Sequence, residues 1–154
     1  QMKNRILFTF LLGMAALWTV PALSATLTAA RMKALGLEGK AFTKKTKGVW
    51  SVEGGIMVYN TEVYAPKVLG FGGPVPLFIA VNAKGIILAV AAAPNDESYF
   101  DMIEDARFLH RWDGKSLKEA AKMKPDAVTG ATYTSDAIVE NVRQTARKLT
   151  SKKE

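Results

Sequence analysis

Seven residues near the C-terminus, Asp126-Ala127-Val128-Thr129-Gly130-Ala131-Thr132, have the types and spacing to hold an anion. They run through Tyr133, Thr134 and Ser135 into a stretch where Ile138, Val142, Ala146 and Leu149 share one helical face. The first backbone N–H groups of a helix lack partners within it, and the helix dipole favours negative charge there. A small, hydroxyl-rich turn at such a point is a seat for a phosphate. Gly130 permits the turn, Thr134 or Ser135 can cap the helix, and Thr132 brings a hydroxyl to the same place. By local composition alone the stretch also reads as an ordinary turn leading into a helix. A second stretch, Gly70-Phe71-Gly72-Gly73-Pro74-Val75-Pro76, is by itself only a Gly/Pro loop.

Composition limits the chemistry. The 154 residues contain no cysteine, which excludes disulfides, cysteine-ligated iron–sulfur clusters and thioether-bound haem. One histidine, His110, is too few for a histidine-rich metal site. Redox work in this chain therefore falls to an organic cofactor. No Gly-x-Gly-x-x-Gly follows a strand-like run, which argues against a self-sufficient nicotinamide-dependent reductase. The net charge of +7 gathers at Lys40, Lys44, Lys45 and Lys47 and at Arg143, Arg147, Lys148, Lys152 and Lys153. No nucleic-acid-binding signature accompanies it. Anionic headgroups, an acidic redox partner or simple solvation each fit such clusters.

The elements that must position these loops read as follows. Thr28 to Leu35 is a short helix with Thr28 as N-cap and Gly36 as its stop. The Lys-, Thr- and Gly-rich run to Gly48 is a connector. Val49 to Tyr59 forms strands turning at Gly54-Gly55, and Glu62 to Leu69 is a weaker edge strand bent at Pro66. Leu77–Val81 and Ile86–Val90 flank Asn82-Ala83-Lys84-Gly85 as a hairpin, apolar enough to be covered on both faces. Three helices follow: about Ser98 to Trp112, with Tyr99, Ile103, Ala106 and Leu109 as its stripe; Lys115 to Met123, opened by the capping box Ser116–Glu119; and about Asp136 to Leu149. Asp101, Glu104 and Asp105 read as a solvated helix face, His110 as packing or surface, and Trp50 and Trp112 as core. The sum is an α+β domain, an antiparallel sheet with a central hairpin covered by helices.

Lys3 and Arg5 precede an uncharged run from Ile6 to Ala25. Twenty helical residues span roughly 30 Å, the thickness of a bilayer core. The run reads as a transmembrane anchor or as a secretory signal with small residues at Ala22 and Ser24. Either way Lys3 and Arg5 stay inside and the rest is exported. This divides the chain into residues 1–25, anchor or signal, and residues 26–154, the functional domain.

The run from Asp126 to Thr132 resembles the flavinylation motif Asp-x-x-(Ser/Thr)-Gly-Ala-Thr of the FMN-binding domain family. That family includes subunits of Rnf complexes and of the sodium-translocating NADH:quinone reductase. The Gly70–Pro74 loop ahead of a hairpin is similar to the family's Gly-(Tyr/Phe)-Gly-Gly-Pro. Asn95-Asp96-Glu97-Ser98 aligns with its Glu-Thr-Pro-Gly segment, where Glu97 is kept and Tyr99-Phe100 stand in place of Pro-Gly. The likeness covers about Leu69 to Val142.

This resemblance implies FMN joined through its phosphate to the Thr132 hydroxyl. Asp126, Thr129, Gly130, Ala131, Thr134, Ser135, Phe71, Gly72, Gly73 and Glu97 would surround the cofactor. No base stands beside Thr132 in sequence, so a separate flavin transferase is the expected partner. The implied role is electron transfer, as a subunit of a membrane redox complex or with soluble carriers, more than stand-alone catalysis. The implied place is the outer, periplasmic face of a bacterial cytoplasmic membrane, held through residues 6–25. A binding or scaffold subunit with a vestigial, unmodified motif is the alternative.

Overall fold

A computed structural model of the chain describes residues 25–152. The expected anchor or signal therefore lies, but for Ala25, outside the described residues. No helix among the described residues is long and apolar enough to cross a membrane.

The order is α1 (Ala29–Ala34), β1 (Phe42–Thr46), β2 (Val49–Val52), β3 (Ile56–Asn60), α2 (Thr61–Tyr64), β4 (Leu77–Val81) and β5 (Ile87–Ala92). Then come α3 (Phe100–Asp105), a 3-10 turn (Phe108–Trp112), α4 (Leu117–Ala120) and α5 (Thr132–Ser151). The five strands form one sheet in sequence order, every neighbour antiparallel. The expected α+β architecture is present.

β4 is buried at every residue because its two faces meet different layers. Leu77, Ile79 and Val81 point to the layer of α5, Ile103, Phe108, Trp112 and Leu117. Phe78 and Ala80 point the other way, to Met32 of α1 and its C-cap Leu35 with Trp50 and Val58. Side chains alternate along a strand, so a continuous apolar run is what a doubly covered strand requires. α5 lays Ile138, Val142 and Ala146 on the first layer, the stripe expected from the sequence. Asn141 Nδ2 donates to Val75 O at 2.9 Å and so holds this helix against the Gly/Pro loop.

The caps read from the sequence are in place. The Thr28 side chain accepts from Arg31 N, and Gly36 follows at φ +70°. Ser116 and Glu119 close a capping box on α4. Trp50 and Trp112 are core, whereas Asp101, Glu104, Asp105 and His110 are exposed.

Five expectations are corrected. The hairpin expected at the centre of the sheet lies at its end, because the strands add in chain order and β5 is the last of them. The connector before Gly48 contains β1, an edge strand exposed at every residue, which leaves no inside–outside alternation to read. The edge strand at Glu62–Leu69 is instead a helical turn, α2, and a loop. The Asn60 side chain accepts from Glu62 N and starts that turn, while Thr61 Oγ1 accepts from Leu77 N. The helix over Ser98–Trp112 breaks at Arg107, which adopts φ +50°. Phe108 and Trp112 go inside in place of Tyr99 and Ala106. Finally, α5 begins at Thr132, four residues before the expected start, so Thr134 and Ser135 lie within it and Ala131 is the cap.

Candidate functional site

Three segments converge at the N-terminus of α5: the loop after Leu69, the loop after β5, and the turn before Thr132. Glu97 joins them. One carboxylate oxygen accepts from Gly72 N at 2.6 Å; the other accepts from Phe71 N at 3.1 Å and from the Thr134 hydroxyl. Glu97 is buried, and its own backbone N–H donates to Asn95 Oδ1 at 3.1 Å. Burying a carboxylate is costly unless its lone pairs are taken up, and here three donors do so.

The glycines of the Gly/Pro loop are required by this closeness. A Cβ on Gly72 would lie 2.1 Å from Asp96 O, and one on Gly70 would lie 2.6 Å from Glu97 Oε1. At Gly72 two backbone segments touch where only glycine fits, and at Gly70 a side chain would displace the Glu97 carboxylate. Leu69 and Pro74 pair across the loop, and Gly70 N donates to Gly73 O at 2.7 Å.

Gly130 turns the chain at φ +87°, with the Met102 sulfur 3.1 Å from where a Cβ would sit. Ala131 N donates to Val128 O, and Ser135 Oγ accepts from Val128 N while donating to Ala131 O. Ser135 thus fastens the turn from within the helix, a different task from the cap expected of it. Thr132 is the first helical residue and is exposed. Ala131 offers no side-chain acceptor to the first N–H groups of α5, and no acidic residue stands in the first turn. A twenty-residue helix therefore presents its positive end beside a free hydroxyl.

Asp126 and Thr129 are exposed on the approach to this turn. Their side chains take no hydrogen bond from other described residues, although Thr129 lies within the turn that Ala131 N closes on Val128 O. Phe71, Gly72, Gly73, Glu97, Gly130, Ala131, Thr132, Thr134 and Ser135 belong to the three converging segments.

Tyr99, expected in a helix stripe, and Tyr133 were not expected at the site, yet both stand out there. Phe71 is 65 % exposed, Tyr99 48 % and Tyr133 72 %. The Phe71 ring centre lies 6.5 Å from that of Tyr99 and 6.4 Å from that of Tyr133. The three rings form a surface row beside Thr132. Their separation of 28 and 34 residues in the chain leaves no local pattern by which to find them.

Several well-formed clefts among the described residues, of about 130 to 530 Å3, are lined by neither Thr132 nor these rings. One of them, about 530 Å3, runs from Arg31 past Asn95 to Glu104 and touches Glu97. Thr132 and the three rings are themselves exposed to solvent. No group of acidic and histidine residues suited to a metal ion occurs among the described residues.

The parts fit a phosphate-bearing aromatic cofactor. The N-terminus of α5 has no side-chain cap, an exposed residue with a hydroxyl stands at it, glycines bring backbone close, and exposed aromatic rings lie nearby. The family model of the FMN-binding domain matches residues 70–147, from the glycine of the first loop to the last quarter of α5. No curated protein matches the chain. The matched stretch is about half of the sequence and contains all three converging segments, so this chain belongs to the FMN-binding domain family.

Proposed function

We propose that the chain is an exported, membrane-tethered electron-transfer flavoprotein that carries FMN on Thr132 through a phosphoester bond. Its outlet is a membrane redox complex, as subunit or partner, at the outer face of a bacterial cytoplasmic membrane. The observation that carries this reading is the exposed Thr132 hydroxyl at the uncapped N-terminus of α5.

The ester would link Thr132 Oγ1 to the phosphorus: the hydroxyl gives up its proton and displaces the leaving group from the phosphate of an activated flavin nucleotide brought by the transferase, and the chain gains FMN less one water. The N–H groups that open α5 and its dipole favour the remaining phosphate charge. No carboxylate or imidazole hydrogen-bonds the Thr132 hydroxyl among the described residues, so the bond needs a flavin transferase to make it. The exposure of Thr132 suits access by such an enzyme. Glu97 keeps the loop carrying Phe71, Gly72 and Gly73 against the same helical turn. When bound, FMN supplies the electron-transfer chemistry, and the protein supplies position and surroundings.

Membrane tethering is supported by where the chain enters the fold. Ala25, the last residue of the apolar run, is buried and its carbonyl accepts from Asn60 Nδ2 at 2.9 Å. Asn60 N in turn donates to Gly48 O, in the β1–β2 turn. Lys44, Lys45 and Lys47 are exposed on that strand and turn. A basic edge close to the exit of an apolar leader suits a surface of anionic headgroups.

Denaturation separates the readings. The chain purified from cells with a flavin transferase is expected to keep its yellow colour after unfolding and filtration. Colour lost to the filtrate would mean FMN bound without a covalent bond. A colourless chain from those cells would favour the scaffold with an unmodified motif.

A further inference from the structure

We propose that Tyr99 and Tyr133, with Phe71 between them, form the floor on which the flavin ring of Thr132-linked FMN lies. The inference rests on the reading of Thr132 given above and adds a site for the ring, which that residue alone does not provide. The ribityl chain separates the ring from the phosphate, so the ring rests on neighbouring side chains. Tyr133 is the next residue along α5, and the row of rings starts there.

The row is held in place before any cofactor arrives. Phe71 N is fixed by the Glu97 carboxylate, Tyr99 follows Glu97 by two residues, and Tyr133 precedes Thr134, whose hydroxyl the same carboxylate accepts. One buried group thus ties together the three segments that carry these aromatic residues. Preorganisation of this kind lowers the ordering cost of binding.

The rings do not satisfy one another. Phe71 and Tyr99 are tilted by 51° and Phe71 and Tyr133 by 34°, so neither pair is a parallel stack and ring faces remain open to solvent. Leu69, 63 % exposed, and Met102 extend the same apolar character around the site. A contiguous exposed patch of this sort marks a binding surface. A planar heteroaromatic ring is the occupant whose shape matches, and the two phenol hydroxyls offer polar tips for its carbonyl and ring-nitrogen edges.

The test uses the full chain matured with a flavin transferase, in wild-type form and as the double variant Tyr99→Leu, Tyr133→Leu. Both residues are largely exposed, so the fold should tolerate the change; urea unfolding of both forms checks this. Intact mass reports loading at Thr132. Flavin fluorescence at equal loading reports the floor, because a tyrosine in contact with the ring quenches its emission. The expected result is equal added mass with emission several-fold brighter in the variant than in the wild type. Equal emission at equal loading would overturn the floor while leaving the link to Thr132 intact. A wild-type chain without added mass would overturn the Thr132 reading and the floor with it.

Discussion

Glu97 and Thr134 lie 37 residues apart in sequence, yet the carboxylate of one accepts the hydroxyl of the other in a buried hydrogen bond. The same carboxylate holds Phe71 N and Gly72 N, so it fixes a loop to a helix start. Glu97→Ala is expected to destabilise the fold by roughly 2–3 kcal/mol, since three donors lose their acceptor. FMN content should fall with it. Urea unfolding followed by the flavin absorbance of purified protein measures both. An unchanged midpoint would show that the bond has no structural role.

Gly72→Ala places a methyl group where Asp96 O stands 2.1 Å away. Backbone cannot yield as a flexible side chain does, so the two loops must part. A loss of roughly 1–3 kcal/mol is expected. The tyrosine row should lose register with Phe71, seen as brighter flavin emission at equal loading. Wild-type stability and emission would count against the close approach.

The charge of β1 gives a prediction about lipid. With the full chain reconstituted in vesicles, amide exchange in β1 should slow when phosphatidylglycerol replaces phosphatidylcholine. Each lysine near an anionic surface contributes about 1 kcal/mol. Reversing Lys44, Lys45 and Lys47 to Glu should remove the difference. Equal exchange on both lipids in the wild type would count against contact with headgroups.

Glu119 gives a pH dependence. Hydrogen bonds from the Ser116 backbone and side chain lower its carboxyl below the usual 4.5, helped by nearby Lys115. A lowered folded value means that the unfolded chain holds more proton in this range. The contribution is therefore present above about pH 4.5 and fades as pH falls through the lowered folded value. Glu119→Gln should show a shallower loss of stability on acidification than the wild type. Parallel curves would exclude the capping box as a titrating element.

The legible parts of this fold were those with local periodicity or local capping. The Leu77–Ala92 hairpin, the α5 stripe and the caps at Thr28 and Ser116 each draw on residues within a few positions of one another. β1 escaped because Phe42–Thr46 is exposed throughout and carries no alternation. The helix break at Arg107 escaped because a non-glycine residue at φ +50° has no compositional signal. At the site, the Gly70–Gly73 loop and Thr132 were visible as short motifs. The Glu97 clasp and the Tyr99–Phe71–Tyr133 row were not, since they exist only once the three segments meet.

The bond at Thr132 is tested most directly by peptide mass mapping of chain purified from cells that contain a flavin transferase. The peptide spanning Asp126 to Arg143 should carry the mass of FMN less one water, with fragmentation placing it on Thr132. The Thr132→Ala chain should lack it. An unmodified peptide in the wild type, or an addition that persists in Thr132→Ala, would contradict the account.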